Sequence, residues 1–287
     1  MTVIEKAPAK INLGLNIINK RDDGYHELLS IFQTVSIYDT LEISLSGNPG
    51  MICEHPDVPV DSSNIILQAE HLLSKDFNDL PPVHYVLDKQ IPVGAGLGGG
   101  SSDAAAALRG LNKIHNLKLS DKSLYDYACE LGSDVPFMIN GGTSVVSGRG
   151  EILLDVEWPF DFTYLVVYPN IAVSTAWAYK SLEELGGEYS EYKKITDDLS
   201  GGKLDEKEFL RLLSNDFENT VFEKYPLLGK IKSDIISYGA ETSIMSGSGS
   251  SIVGIFTKVD KAYQCAGLFK DTDYNVFIAN AVSKKQF

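Results

Sequence analysis

Pro92-Val93-Gly94-Ala95-Gly96-Leu97-Gly98-Gly99-Gly100-Ser101-Ser102-Asp103-Ala104-Ala105-Ala106-Ala107-Leu108 decides how the rest of the chain is read. Five of the seven residues from Gly94 to Gly100 are glycine. Glycine loses more backbone freedom on folding than any other residue. Such a density therefore makes sense where the chain must turn through φ > 0 or let a ligand approach its backbone. The stretch then enters Ser102-Asp103, suited to a first helical turn, and four alanines, the best helix formers. A glycine loop feeding a helix N-terminus leaves N–H groups free and adds the positive end of the helix dipole, so it predicts an anion site. A simple turn before an alanine helix would account for a lone Gly-Gly, not for this loop.

Spacing leaves the kind of anion loop open. Gly94, Gly96 and Gly99 fit the G-x-G-x-x-G of dinucleotide folds, but the loop does not lie in an opening strand–turn–helix unit. Asp121, about twenty residues on, begins a helix instead of ending a second strand. Gly94 and Gly99 have Walker A spacing, yet Gly100-Ser101 stands where Lys-Ser/Thr is required.

Outward from the loop, Val83–Ile91 reads as a strand ended by Pro92, and helices are expected over Ser101–Asn112 and Asp121–Leu131. Residues 3–18 read as a strand. Ile11, Leu13, Leu15 and Ile17 share one face; Lys10, Asn12 and Asn16 share the other. Arg21-Asp22-Asp23-Gly24 is a turn, Leu41–Ser46 a strand, and Ser63-Asn64 caps a helix to about Leu73. Strands follow at Val145–Ser147, Glu151–Leu154 and Phe162–Tyr168. Beyond residue 155 helices are expected near Thr175–Leu182, Glu206–Leu213, Leu227–Tyr238 and Val259–Leu268. Ser243–Phe256 reads as strand–glycine turn–strand, and Val276–Ala281 as a closing strand. Gly186–Gly202 has the least pattern and reads as a flexible loop. Strand and helix do not alternate regularly, so the expected fold is α+β with two lobes, 1–155 and 156–287, and an active site between them.

The 287 residues are 44% hydrophobic and 22% charged, an ordinary globular composition. No apolar run is long enough to span a membrane, and the first residues lack a signal-peptide pattern. Cys53, Cys129 and Cys265 form neither a metal knuckle nor a disulfide framework, which suits a cytoplasmic protein. A net charge of −14 argues against nucleic acid as partner. It also requires any phosphate site to be local, built from backbone N–H groups and a few lysines.

Three more segments narrow the choice: Pro8-Ala9-Lys10-Ile11-Asn12-Leu13-Gly14-Leu15, Leu131-Gly132-Ser133-Asp134-Val135-Pro136-Phe137 and Met245-Ser246-Gly247-Ser248-Gly249-Ser250-Ser251. With the glycine loop, and in this order, they resemble the GHMP kinase superfamily (galactokinase, homoserine, mevalonate and phosphomevalonate kinases) over nearly the whole chain. The extra glycines of the loop, with Asp23-Gly24-Tyr25-His26-Glu27-Leu28, are most similar to the branch acting on 4-diphosphocytidyl-2-C-methyl-D-erythritol in the non-mevalonate isoprenoid pathway.

That resemblance implies transfer of the ATP γ-phosphate to the 2-hydroxyl of this small molecule, directly and without a phosphoenzyme. It implies Lys10 and Asp134 as catalytic pair: Asp134 to accept or orient the hydroxyl proton, Lys10 to keep Asp134 ionised and stabilise developing charge. Pro92 through Ser102 would hold ATP, backed by the Ser246–Ser251 turn. Mg²⁺ is expected with the nucleotide; its ligands are not singled out, although Ser102 is a candidate. Tyr25 and Tyr179 would sandwich the cytosine, with Trp177 the competing choice for the second wall, and His26 would bond its edge. Asn12, Lys89 and Thr175 would contact other polar groups of the substrate, with Lys89 near the diphosphate. A homoserine or mevalonate type of kinase is the nearer alternative, and an NAD-binding oxidoreductase the more distant one. Monomer and homodimer are both compatible with the sequence.

Overall fold

The long alternating segment at the start of the chain becomes β1 (Thr2–Lys20), which pairs antiparallel with the equally long β2 (His26–Leu45) in a computed structural model describing residues 1–182 and 189–287. Both faces of this hairpin are covered, because its apolar residues divide between two cores. Ala7, Leu15 and Ile17 enter one core, and Ala9, Ile11 and Leu13 the other, so the single face expected for Ile11, Leu13, Leu15 and Ile17 is split where the register shifts between Asn12 and Leu15. Lys10, Asn12 and Asn16 are buried as well, so the polar face meets other protein instead of water. β2 is far longer than the expected Leu41–Ser46. Its first half, Leu29–Val35, is buried on both faces and so lacks the period-two pattern of a half-exposed strand.

β3 (Gly50–Cys53), α1 (Ile65–Ser74), β4 (Val83–Asp88), α2 (Gly99–Ile114), α3 (Asp121–Leu131), α4 (Val135–Asn140), β5 (Thr143–Gly148) and β6 (Ile152–Val156) complete the first half. The sheet order is β3-β4-β2-β5-β6, with β1 also on β2. Asn64 caps α1 by accepting from Ile66 N at 2.8 Å, as its sequence position predicts. The alanines of α2 are fully buried, and their small side chains let the helix lie close to the sheet.

The second half contains β7 (Thr163–Tyr168), α5 (Thr175–Lys180), α6 (Tyr189–Ser200), α7 (Glu206–Leu212), α8 (Glu218–Lys224), α9 (Pro226–Ser237), β8 (Thr242–Met245), β9 (Ile252–Phe256), α10 (Val259–Ala266) and β10 (Asn275–Asn280). Its strands form an antiparallel sheet ordered β10-β7-β9-β8. Mixed helices and two largely antiparallel sheets make the α+β class expected from the sequence.

The stretch read as a flexible loop needs correction. Residues 189–200 are helix, because Tyr192, Ile195 and Leu199 at i, i+3 and i+7 form a buried stripe that the polar composition masked. Gly186–Glu188 lie outside the described residues. Among the described residues no helix is long and apolar enough to cross a membrane.

Candidate active site

Four backbone segments converge on β1. The edge of β1 away from β2 bonds to the glycine loop, with Lys10 N donating to Leu97 O at 2.9 Å. Further along, Leu15 N donates to Ser214 O at 2.8 Å and Leu15 O accepts from Asp216 N at 3.0 Å. The two glycine turns then meet each other. Ser251 N donates to Ala95 O at 3.2 Å, and Ser246 Oγ donates to Gly96 O at 3.0 Å while accepting from Asn12 N at 3.2 Å. Gly96 has φ +79°, and a Cβ there would lie 2.5 Å from Ser246 O and 2.9 Å from Gly249 O. Only glycine fits between these turns without displacing backbone.

The loop enters α2 earlier than the expected Ser101. Gly98, with φ +68°, stands at the N-cap and Gly99 is the first helical residue. Gly99, Gly100 and Ser101 therefore form the first turn, and their N–H groups have no partner among the described residues. Pro92 through Ser101 line a cavity of about 470 Å³, together with Ser63, Asn64 and Ile65 at the start of α1. Ser102 is placed differently. It is fully buried, its N–H bonds to Gly98 O at 2.9 Å, and its Oγ has no partner among the described residues.

Lys10 of β1 and Asp134 at the start of α4 both line a neighbouring cleft of about 790 Å³. Lys10 Nζ lies 3.4 Å from Asp134 Oδ2, donates to Asn12 Oδ1 at 2.6 Å, and sits 4.5 Å from the centre of the Phe32 ring. Asn12 is itself fixed, donating from Nδ2 to Ser30 Oγ at 3.0 Å, with Ser30 Oγ bonded on to Gly14 O. The ammonium is thus held by a chain of side chains that ends on backbone. Asp134 stands at the N-cap of α4, yet its carboxylate makes no capping bond and points to Lys10 with 31% of the side chain exposed. The same cleft is lined by Gly96 and Gly98, so the glycine loop walls both cavities.

Tyr25, His26, Thr175 and Tyr179 line this cleft too. The aromatic arrangement departs from a Tyr25–Tyr179 sandwich: the His26 ring stacks on Tyr179 with centroids 4.9 Å apart and planes at 20°, while Phe217 meets Tyr179 edge-on. Tyr25 is 56% exposed at the rim, under the Arg149 guanidinium at 4.7 Å. Burial, and then the charge of Asp134, push the Tyr179 phenol up to about 12, so it stays protonated. Burial, and then the charge of Lys20, hold the His26 imidazole below its ordinary value. Thr175 Oγ1 bonds Ser248 Oγ at 2.8 Å, linking α5 to the second glycine turn.

Lys89 does not line that cleft. Its side chain is 4% exposed beneath Gly99, on the other side of the loop, where it pairs with Asp39 and with Asp103 Oδ2 at 3.1 Å. Asp39 Oδ1 also accepts from Gln90 N at 2.6 Å and Ile91 N at 2.8 Å. Two buried carboxylates compete for one ammonium, which is why Lys89 turns inward. Burial alone would lower the Lys89 ammonium, but the charges of Asp103 and Asp39 outweigh it and raise it. Burial raises Asp103 well above the carboxylate range, against the pull of Lys89.

Sequence reasoning missed several contributors. Lys20, Arg149 and Lys180 add cations to the cleft. Arg149 carried a legible signal, since it lies between Gly148 and Gly150, both at positive φ in a turn that presents it. Asn215 carried none: its amide donates to Met245 O at 2.7 Å and Gly247 O at 2.8 Å, holding the second glycine turn from behind.

Comparison with known proteins identifies a family for the chain. The family models described as GHMP kinases N terminal domain and GHMP kinases C terminal match residues 64–142 and 202–286. The chain is 42% identical over 256 residues, 88% of its length and 86% of the relative's, to the 4-diphosphocytidyl-2-C-methyl-D-erythritol kinase of Chlorobium phaeovibrioides. A crystal structure of a 4-(cytidine 5'-diphospho)-2C-methyl-D-erythritol kinase superposes with TM-score 0.81 at 29% identity, covering 97% of this chain and 99% of that one. Homoserine kinase from Cytophaga hutchinsonii superposes with TM-score 0.77 at 16% identity, covering 99% and 96%, and shares the fold.

Proposed function

The chain belongs to the 4-diphosphocytidyl-2-C-methyl-D-erythritol kinase family of GHMP kinases, and from that premise we propose that it uses ATP to phosphorylate the 2-hydroxyl of 4-diphosphocytidyl-2-C-methyl-D-erythritol. The observation that carries the proposal is the placement of Lys10 and Asp134, 3.4 Å apart, in a cleft that shares the walls Gly96 and Gly98 with the loop cavity. ATP phosphates on the free N–H groups of Gly99–Ser101 would put the γ-phosphorus at that shared wall, in line with a hydroxyl held by Asp134.

Phosphoryl transfer needs chiefly positioning and charge stabilisation. Asp134 accepts or orients the proton of the 2-hydroxyl, and the half-exposed carboxylate is within reach of a ligand in the cleft. Lys10, aimed by Asn12, neutralises charge growing between acceptor and phosphate. The cationic rim of Lys20, Arg149 and Lys180 suits the substrate's diphosphate, and the aromatic floor of His26 and Tyr179 suits a flat base. Tyr25 closes over that base from the rim, and Thr175 and Asn12 bond the sugar-alcohol hydroxyls. Lys89, paired with Asp39 and Asp103 beneath Gly99, braces the loop from the nucleotide side.

A magnesium ion bound with the nucleotide would supply positive charge against the phosphates during transfer. An ion held mainly by phosphates and water needs only one or two protein oxygens. The unpartnered Ser102 Oγ is the residue that would supply one.

Steady-state ATP turnover against the diphosphocytidyl alcohol, homoserine and mevalonate tests the acceptor. The first should give the highest kcat/KM by a wide margin, and preference for either of the others would sink the assignment. Asp134→Asn should lower kcat by about 10²–10⁴-fold while ATP still binds by calorimetry; near wild-type turnover would remove Asp134 from the mechanism.

A further inference from the structure

The three elements that meet at the site are also joined behind it, by one side chain. Arg109 lies on α2, ten residues after Gly99, with its side chain 11% exposed. Its Nε donates to Glu5 Oε2 at 3.0 Å and its Nη2 to Lys6 O at 2.9 Å, both on β1. Its Nη1 donates to Met138 O at 2.8 Å, in the last turn of α4. β1 carries Lys10, α4 carries Asp134 at its opposite end, and α2 begins in the glycine loop. One planar guanidinium therefore fixes all three parts of the catalytic geometry relative to one another.

The surroundings make this junction a fixed point. Glu5 is 1% exposed on its side chain, and its other oxygen is taken by Lys113 at 2.5 Å. Beside Arg109, Gly110 brings α2 onto the sheet so closely that a Cβ would lie 2.4 Å from Ile43 Cδ1. The carbonyls at the end of α4 are the negative end of its dipole, where a cation is favoured. Lysine cannot reproduce the arrangement, because a point charge does not reach a carboxylate and two backbone carbonyls in three directions at once.

We propose that Arg109 is a positioning residue for phosphoryl transfer: it sets the distance between the glycine loop, Lys10 and Asp134 from the far side of α2. The proposal rests on the Lys10–Asp134 site described above. Ten residues at a rise of about 1.5 Å put the loop end of α2 roughly 15 Å from this pivot. A tilt of about 4° there moves the loop by about 1 Å, and a misplacement of that size costs on the order of 100-fold in rate.

The test compares wild type, Arg109→Lys, Asp134→Asn and the double variant, each at saturating ATP and acceptor, with rates corrected for folded fraction. Arg109→Lys should cut kcat by about 10–100-fold and change KM for either substrate by less than about threefold. In the Asp134→Asn background, where a sensitive phosphate-transfer assay follows residual turnover, the same change should cost clearly less than in the wild type, by at least about threefold, because one of the three positioned groups is gone. Equal losses in both backgrounds, or unchanged kcat in Arg109→Lys, would overturn the proposal. Should Arg109→Lys fold poorly, Glu5→Gln replaces it in the same cycle and is expected to show the same non-additivity. Asp134→Asn retaining wild-type turnover would instead count against the site itself, so the two failures are distinguishable.

Discussion

Gly96→Ala tests how tightly the two glycine turns are pressed together. The backbone at Gly96 has φ +79°, a region that costs an L-residue about 1–2 kcal/mol. The new methyl carbon would also sit 2.5 Å from Ser246 O and 2.9 Å from Gly249 O, both backbone atoms with little freedom to yield. Overpacking of this kind costs about 1–3 kcal/mol, for a sum of roughly 2–5 kcal/mol. A chain of 287 residues has an unfolding entropy of about 0.6 kcal/mol/K, so the thermal midpoint should fall by roughly 3–8 °C. Relief requires the turns to part by roughly 0.9 Å, from 2.5 Å to an ordinary contact near 3.4 Å. Since these turns wall both cavities, kcat/KM for ATP should fall by on the order of 100-fold. Gly100→Ala is the control. No atom lies within 4 Å of its Cβ and its φ is not positive, so the folded chain should be unchanged or firmer, by about 0.4–1 kcal/mol. Its methyl nevertheless stands on the first turn that faces the phosphates, so KM for ATP should rise without any loss of thermal stability. Scanning calorimetry without nucleotide and an ADP-release assay read both variants. A Gly96→Ala protein that melts within about 1 °C of wild type and keeps its KM for ATP would refute the argument.

Two further outcomes follow from the charges at the site. The folded state holds His26 below its ordinary value of 6.5, through burial and Lys20, so the unfolded chain takes up that proton first as pH falls. The stability supplied by neutral His26 is complete above 6.5 and is lost as pH drops through the folded value. His26→Gln should therefore flatten that part of the acid limb in urea unfolding and raise KM for the acceptor but not for ATP; parallel curves would count against it. Lys89→Met leaves Asp39 and Asp103 facing each other without their shared ammonium, and should cost about 3–5 kcal/mol. Adding Asp103→Asn should return part of that loss, and a urea midpoint that the second change leaves lower still would show that carboxylate repulsion is not the cause.

Why some of this was legible in the sequence and some was not comes down to whether a residue's neighbours are local. The start of α3 at Asp121, the cap of α1 at Asn64 and the strand character of β1 depend on short-range rules, and each appears where its local pattern puts it. β2 and α6 depend on what covers them. Burial on both faces erased the alternation of Leu29–Val35, and a polar exterior hid the stripe of Tyr192, Ile195 and Leu199. The site divides in the same way. Glycine density followed by alanines specified an anion-binding helix start from local chemistry alone. The pairing of Lys10 with Asp134 spans 124 positions, and no local rule connects them. Only the joint resemblance of four short motifs to a family did. Lys89 shows the limit of reading charge from position: at the end of a strand, beside a phosphate loop, it looks like a ligand-facing cation. Asp39, fifty positions earlier, and Asp103, on the following helix, are what turn it inward. An overall charge of −14 was equally uninformative about the cleft, whose lining brings Lys10, Lys20, Arg149 and Lys180 together with Asp134. Helix-surface pairs such as Lys122–Asp126, Lys193–Asp197 and Lys230–Asp234 sum to zero charge and are each worth little to stability. Net charge averages over a surface, whereas anion binding is decided by the few cations and N–H groups that share a cavity with the ligand.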